Sequence, residues 1–95
     1  MDIKFSGKII FWKGPSPFFF VQVPKKQSQE IKSVSALVTY GWGVIPVTVK
    51  IGKTEFTTSL FPKDGLYLVP LKVVVRKKEN LAEGDTIKIQ LKLNF

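Results

Sequence analysis

The segment Val73-Val-Val-Arg-Lys-Lys-Glu-Asn-Leu-Ala-Glu-Gly-Asp-Thr-Ile-Lys-Ile89 decides the fold class of this 95-residue chain. It contains an apolar run, a basic connection with the only arginine of the chain, a Leu-x-x-Gly-Asp turn, and a segment that alternates between apolar and polar residues. Strict alternation is typical of a β-strand with one buried face, and Gly-Asp is typical of a tight turn. The segment therefore predicts two strands joined by a charged connection, as in a small barrel-like β domain.

Further strands are predicted on the N-terminal side of this segment. One side of the first strand carries Ile3, Phe5, Gly7, Ile9 and Phe11, and the other side is polar. Gly52-Lys53 joins the third and fourth strands through a two-residue loop that suits a type II′ hairpin. The predicted strands cover residues 2–11, 18–23, 44–51, 54–61, 66–76 and 86–94.

Helical periodicity is confined to residues 25–39, where Ile31 and Val34 belong to an apolar side and Gly41 supplies a stop signal. About six strands and one α-helix predict a mainly β fold. The closed or double-split barrel would occupy a single domain, residues 1–95, because closure removes exposed strand edges. The helix would then cover one open end or one seam of the barrel.

The charge of the chain is strongly positive. A formal net charge of +8 arises from 14 lysines and one arginine against seven acids. The lysines on the polar sides of alternating strands are Lys4, Lys8, Lys50, Lys88 and Lys92. A solvated lysine face is the ordinary outcome of this pattern, and a nucleic-acid footprint is the alternative. The near absence of arginine disfavours base-specific readout.

Catalysis and metal binding find little support in the composition. The chain has no histidine and no cysteine, which removes the commonest general base, the thiol nucleophile, disulfides and thiolate metal ligands. The seven acids show no spacing typical of a shared hydrolytic site. We therefore expect a noncatalytic domain with no cofactor and no metal. With no apolar run near the roughly 20 residues of a membrane span and no signal sequence, we also expect a cytoplasmic location.

Lys72 and Arg76 form the most interesting charged pair. On an extended strand over residues 66–76 they share one face, about 13 Å apart between α-carbons. Two cations on an otherwise apolar strand need water, an acid or a ligand. One interpretation is an internal partner, Asp85 or Glu83, and the other is recognition of an anion or carboxylate.

Tyr67 and Trp42 complete the predicted ligand-binding set. Trp42 lies between two glycines in a loop, where burial is not forced, and Tyr67 lies on the same predicted strand as Lys72. Aromatic residues at strand positions usually belong to the core, so both interpretations stay open for Tyr67.

Several motifs occur in a fixed order along the chain and carry a resemblance to one family. They are Trp12-Lys-Gly-Pro15, Phe20-Val-Gln-Val-Pro24, Gly41-Trp-Gly-Val-Ile-Pro-Val47, Thr58-Ser-Leu-Phe-Pro62, Leu71-Lys72, Val75-Arg-Lys77 and Leu81-Ala-Glu-Gly-Asp85. Through them, residues 2–94 resemble the bacterial and archaeal domains of unknown function of the DUF1905 family, which are often fused to a bacteriocin-protection-type domain. The resemblance implies a small β-barrel of the double-split or pseudobarrel kind with helical decoration, and no assigned biochemical role.

A second likeness is local. The Val-Arg-Lys and Leu-x-x-Gly-Asp-x-Ile segment is similar to the equivalent piece of AbrB-type swapped-hairpin barrels, which bind DNA as dimers.

Three functional hypotheses follow from these observations. The first is a noncatalytic binding or protein-interaction module whose partner is a small anion or a protein, with homodimer formation left open and no membrane partner. The alternative is a nucleic-acid-binding barrel that uses lysine faces and exposed aromatics. The third is an enzyme of unknown reaction, whose site would be assembled from acids distant in sequence.

Overall fold

A computed structural model describes residues 2–35 and 45–93 of the chain. In this part, six antiparallel strands close into a barrel in the order β1-β2-β5-β4-β3-β6, which confirms the mainly β barrel. Two short helices accompany the barrel, one more than predicted. The elements are β1 (Asp2–Trp12), β2 (Phe18–Gln22), α1 (Lys25–Ser35), β3 (Ile45–Ile51), β4 (Thr54–Lys63), β5 (Leu66–Leu71), α2 (Val73–Lys78) and β6 (Thr86–Leu93).

Two long strands, β1 and β4, change partners part-way along their length. Residues 2–8 of β1 pair with β6, and residues 9–12 pair with β2. In β4, residues 54–60 pair with β3, and residues 61–63 pair with β5. The barrel therefore consists of two sheets that share β1 and β4, and these two strands form its corners.

The core lies inside the barrel and follows the alternation of the strands. Inward side chains of β1 (Ile3, Phe5 and Ile9) are buried, and the neighbouring residues of the strand are exposed or half-buried. The other strands contribute the remaining inward side chains: Val21, Ile45, Val47, Val49, Ile51, Leu60, Tyr67, Val69, Leu71, Ile89, Leu91 and Leu93. A core of this kind requires period-two sequences in every strand, which is why the strand predictions were largely correct.

Gly7 lies just before the point at which β1 changes partners. A Cβ atom built on Gly7 would collide with Cγ1 of Val21 in β2. A glycine inside a strand often marks a barrel corner or a close backbone approach, and here it does both. The missing side chain lets the sheet turn tightly enough for β1 to reach β2.

Replacing Gly7 by alanine tests this close contact. We expect Gly7→Ala to lower the free energy of unfolding by about 1–3 kcal/mol, because the added methyl overpacks the corner against Val21. In a Gly7→Ala/Val21→Ala double variant the loss should be smaller than the sum of the two single losses. Urea unfolding measures all three, and strict additivity would contradict the contact.

Helix α1 begins at Lys25, directly after Pro24, and buries Ile31 completely. Its predicted end, at residue 39 before Gly41, lies outside the described residues. Ser28 is a buried polar residue of this helix. Its hydroxyl donates to the Val23 carbonyl at 3.0 Å and accepts from the Tyr67 amide at 3.2 Å.

The Ser28 hydroxyl continues the ladder between β2 and β5. Val23 and Tyr67 lie opposite each other in the continued register, and the Val23 amide donates directly to the Tyr67 carbonyl at 2.8 Å. The return bond runs through the serine oxygen. Both backbone groups are therefore satisfied although the strands have begun to separate.

Two serines of α1 make a matched test of this bridge. Ser28→Ala should lower the free energy of unfolding by about 1–3 kcal/mol, because it removes the buried bond that the Val23 carbonyl accepts and the one that the Tyr67 amide donates. Ser33→Ala removes only an exposed bond of 2.8 Å to the Glu30 carbonyl and should change stability by less than about 0.5 kcal/mol. Equal effects of the two substitutions in urea unfolding would show that the bridge contributes nothing.

The predicted strand over residues 66–76 is wrong beyond Leu71, where β5 ends and α2 follows. The helix ends in a Schellman motif. Asn80 has a left-handed φ of 53°, and the Leu81 amide donates to the Arg76 carbonyl at 2.9 Å. Three β-branched valines favour a strand locally, but the closure of this motif and the burial of Val75 stabilise a helix.

No helix in residues 2–35 and 45–93 is both long and apolar enough to cross a membrane.

Candidate functional site

Helix α2 lies at the end of the barrel where β5 ends and β4 begins. Val75 faces the core and is only 2% exposed, whereas Val73 and Val74 are exposed. Leu71 pairs with Phe19 at the start of β2, so the helix begins beside the first residues of that strand. This end of the barrel therefore carries the basic connection between β5 and β6, which contains α2.

Glu79 is the C-cap residue of α2, and its side chain connects the helix to the hairpin between β3 and β4. Its Oε2 atom accepts a hydrogen bond of 2.6 Å from Thr54 Oγ1. Its carboxylate also occupies the space where a Cβ on Gly52 would lie. Gly52 has a φ of 59°, which fits the predicted type II′ turn. The C-terminal end of α2 is thus held in place by the Glu79 carboxylate, which packs against the turn at Gly52.

Arg76 stacks on an aromatic ring. Its guanidinium carbon lies 3.7 Å from the centroid of the Phe19 ring, and that ring packs against Phe11 with 4.6 Å between centroids. This distance is typical of a close cation–π contact. The Arg76 Nε is buried and has no hydrogen-bond partner. The phenylalanine pair thus packs against the guanidinium but offers no hydrogen-bond acceptor to its Nε–H.

Lys72 lies one helical turn before Arg76, because the Arg76 amide donates to the Lys72 carbonyl at 3.1 Å. Its Nζ atom is 6.0 Å from the centroid of the Phe56 ring, at the outer limit of a cation–π contact. Residues one turn apart have Cβ atoms about 5–6 Å apart. The helix therefore brings the two cations closer than the extended strand of the prediction.

Neither predicted acid neutralises this pair within the described residues. The Asp85 carboxylate accepts a bond of 2.9 Å from the Ala82 amide, which confirms that it stabilises its own turn. Glu83 is exposed and forms no ion pair with Lys72 or Arg76 among the described residues. The interpretation of an internal acid partner is therefore wrong for this part of the chain.

The predicted ligand set is only partly assembled. Lys72 and Arg76 come together on α2, but Tyr67 is 6% exposed in the core at the α1 end of β5. Four strand residues, about 13 Å, separate Tyr67 from Leu71 beside α2. Trp42 lies outside the described residues. In the part of the chain that is described, no group of acids could hold a metal ion.

Sequence reasoning missed the two rings that support the cations, Phe19 and Phe56, and the anchor formed by Glu79 and Thr54. A signal for α2 was present. Basic residues at 76–78 followed by Asn80 and an apolar Leu81 match a helix C-terminus, with cations near the negative end of the helix dipole. Once α2 is a helix, Lys72 and Arg76 necessarily lie on adjacent turns.

The family model of a domain of unknown function, DUF1905, matches residues 5–91. The chain belongs to this family. No curated protein matches the chain. In this DUF1905 domain the matched region includes the corner at Gly7, all of α2 and the Asp85 turn. The family assignment therefore covers the candidate site but names no reaction or ligand for it.

Gly52 and Gly65 make a matched test of how α2 is anchored in the DUF1905 domain. Both have positive φ, 59° and 79°, so alanine at either position should cost roughly 1–2 kcal/mol. At Gly52 the new methyl would also displace the Glu79 carboxylate and break its bond to Thr54, which adds about 1 kcal/mol. Nothing lies within 4 Å of a Cβ at Gly65. Urea unfolding should therefore show the larger loss for Gly52→Ala.

The same pair can be compared in a Glu79→Ala background. The excess cost of Gly52→Ala over Gly65→Ala should then disappear, because the carboxylate that the methyl displaces is gone. If the excess persists, Glu79 does not occupy the space beside Gly52.

Proposed function

We propose that this DUF1905 domain is a noncatalytic binding module that recognises a small anionic ligand through Lys72 and Arg76 at the α2 end of the barrel. The ligand class is a carboxylate or phosphate small enough to contact one turn of α2.

The observation that carries the proposal is how the guanidinium of Arg76 is surrounded. Its guanidinium lies over the Phe19 ring, and within residues 2–35 and 45–93 it forms neither an ion pair nor a side-chain hydrogen bond. A guanidinium is planar and presents parallel N–H donors that match a carboxylate or a phosphate bidentately. Such a group is oriented for an anion before the anion arrives, which lowers the entropic cost of binding.

The charges around Arg76 support the same ligand class. Lys72, Lys77 and Lys78 lie on or beside the same helix. Of the three acids that follow Arg76 in the chain, Glu83 is exposed, and Glu79 and Asp85 already accept hydrogen bonds from Thr54 and Ala82. An incoming anion therefore meets cations, while the carboxylates of Glu79 and Asp85 are held in structural bonds. Because these acids hold the backbone and the hairpin, we assign recognition rather than proton transfer to the site.

Val73 adds an exposed apolar side chain beside the two cations. It is 53% exposed and lies on the turn that begins beside Lys72. An anion with an aliphatic part could cover this side chain while its charged end meets Arg76, and the burial of apolar area would add to the affinity. Hexanoate and inorganic phosphate are therefore suitable probes, one with such a part and one without.

The single arginine of the chain makes the test direct, because an amide spectrum contains one arginine Nε–H signal. Titration with hexanoate and with inorganic phosphate should shift this signal together with the amides of α2. Arg76→Lys keeps the charge but loses the planar fork, so it should weaken binding about tenfold. Lys77→Ala, which removes an exposed charge from the same helix, should change affinity by less than about twofold.

The melting temperature of each variant separates binding from stability. If Arg76→Lys and Arg76→Ala bind both probes as the parent does while melting earlier, Arg76 only stabilises the barrel end, and the proposal fails. It also fails if neither probe shifts the Nε–H signal. Native mass spectrometry of the purified protein would identify an anion that copurifies with it.

A further inference from the structure

A second charged feature lies on the wall of the barrel and reaches Gly52, against which Glu79 lies. It is a groove of about 420 Å³ on the outer face of β1, β6 and β3. Its lining includes Lys4, Ser6, Lys50, Gly52, Lys88 and Gln90. The sequence predicts an outward position for each of these lysines, but only the pairing of β1 and β3 with β6 brings the lysines of three strands to one groove.

The strand register shows how the groove is built. Lys4 of β1 and Lys50 of β3 both pair with Gln90 of β6, which forms one row across the three strands. In the next row Lys88 pairs with Ser6, and the continued register places Gly52 on its other side. The short side chain of Ser6 leaves a depression on one side of Lys88, and on the other side the Glu79 carboxylate lies against Gly52.

The three lysines are close enough to act on one ligand. Lys88 is a diagonal neighbour of both Lys4 and Lys50, and diagonal neighbours have α-carbons about 7–8 Å apart. Lys4 and Lys50 are separated by two strand spacings, about 10 Å. Because a lysine side chain is long and flexible, the three ammonium groups can converge above Gln90 and Ser6.

Acids on this wall do not offset the three charges evenly. Asp2 lies opposite Lys92, and Glu55 lies opposite Lys50. In the register of the described strands, Lys4 faces Gln90 and Lys88 faces Ser6, so neither has an acid directly across from it. The Glu79 carboxylate lies against Gly52, the neighbour of Lys88 in the continued register, so the excess positive charge of the groove is greatest at Lys4.

From this arrangement we infer that the groove binds an anion that carries two or more linked phosphate groups. Lysine suits phosphate as a point charge, and three ammonium groups at these spacings suit several phosphates better than one. The Gln90 amide and the Ser6 hydroxyl supply neutral donors between the charges. A volume of about 420 Å³ lies within the range of small-molecule sites.

The same lining favours a compact ligand over a nucleic-acid strand. Among the described lining residues the aromatic one is Phe5, which is buried in the core and offers no surface for base stacking. The exposed Trp12 lies at the far end of β1, eight strand residues or about 26 Å from Lys4. Within this groove lysines and accessible aromatics are thus not interleaved, as binding of a nucleic-acid strand would require.

Titration calorimetry with inorganic phosphate, pyrophosphate and tripolyphosphate tests the inference. Affinity should rise with the number of phosphates, and it should fall when salt is raised from about 50 mM to about 200 mM. Lys4→Gln/Lys50→Gln/Lys88→Gln should weaken tripolyphosphate binding about tenfold or more, because three charge-assisted contacts are lost. Lys13→Gln/Lys25→Gln/Lys26→Gln removes the same net charge at exposed positions elsewhere and should change affinity by less than about twofold.

Three results would overturn the inference. One is no tripolyphosphate binding by the parent protein at the lower salt concentration. Another is an equal loss in both triple variants, which would mean that net charge alone attracts the anion. The third is a single-stranded oligonucleotide that binds more tightly than tripolyphosphate, with affinity that grows with length and depends on the groove lysines. Amide spectra confirm that each variant is folded.

Discussion

The structure depends on one constraint, the change of partner in β1 after Lys8. The first part of this strand pairs with β6 and the last part with β2, so a single strand joins the two sheets of the barrel. Gly7 makes the change sterically feasible, because any side chain there would meet Val21. The corner in β4 performs the same task on the opposite side, where β4 passes from β3 to β5. Closure follows from these two corners, and with it the loss of free sheet edges.

Closure also separates the outward side chains into distinct surfaces. The wall formed by β1, β6 and β3 carries the lysine groove. The wall that includes β2, the end of β1 and the end of β4 carries apolar side chains, among them Trp12 and Phe61, which are 41% and 47% exposed. The α2 end carries Lys72 and Arg76 on aromatic rings. One barrel therefore presents chemically different surfaces on a rigid frame, an arrangement that suits recognition.

How far the sequence predicts the molecule depends on the element. The alternation of apolar and polar residues predicted β1 and β6, because every second residue of such a strand must face the same core. The Gly52-Lys53 loop and the Asp85 turn were predictable because their chemistry is local. Helix α2 was not, since three consecutive valines favour a strand and the helix is stabilised by distant partners. Thr54, Phe19 and the core around Val75 lie far away in sequence and meet α2 only in the closed barrel.

The candidate site was likewise only partly predictable from the sequence. Lys72 and Arg76 were recognisable as cations without a local explanation, and the structure does place them together. Their geometry, the rings beneath them and the unavailability of Glu79 and Asp85 depend on tertiary contacts. Tyr67, which was predicted to join them, is instead buried in the core near the other end of β5. The sequence left both a core position and a binding position open for this residue.

By itself, the sequence determined a closed antiparallel barrel with outward lysines, since period-two patterns and turn residues act locally. Only the tertiary structure decided which charges share a surface, because strand register and helix packing join residues that are remote along the chain.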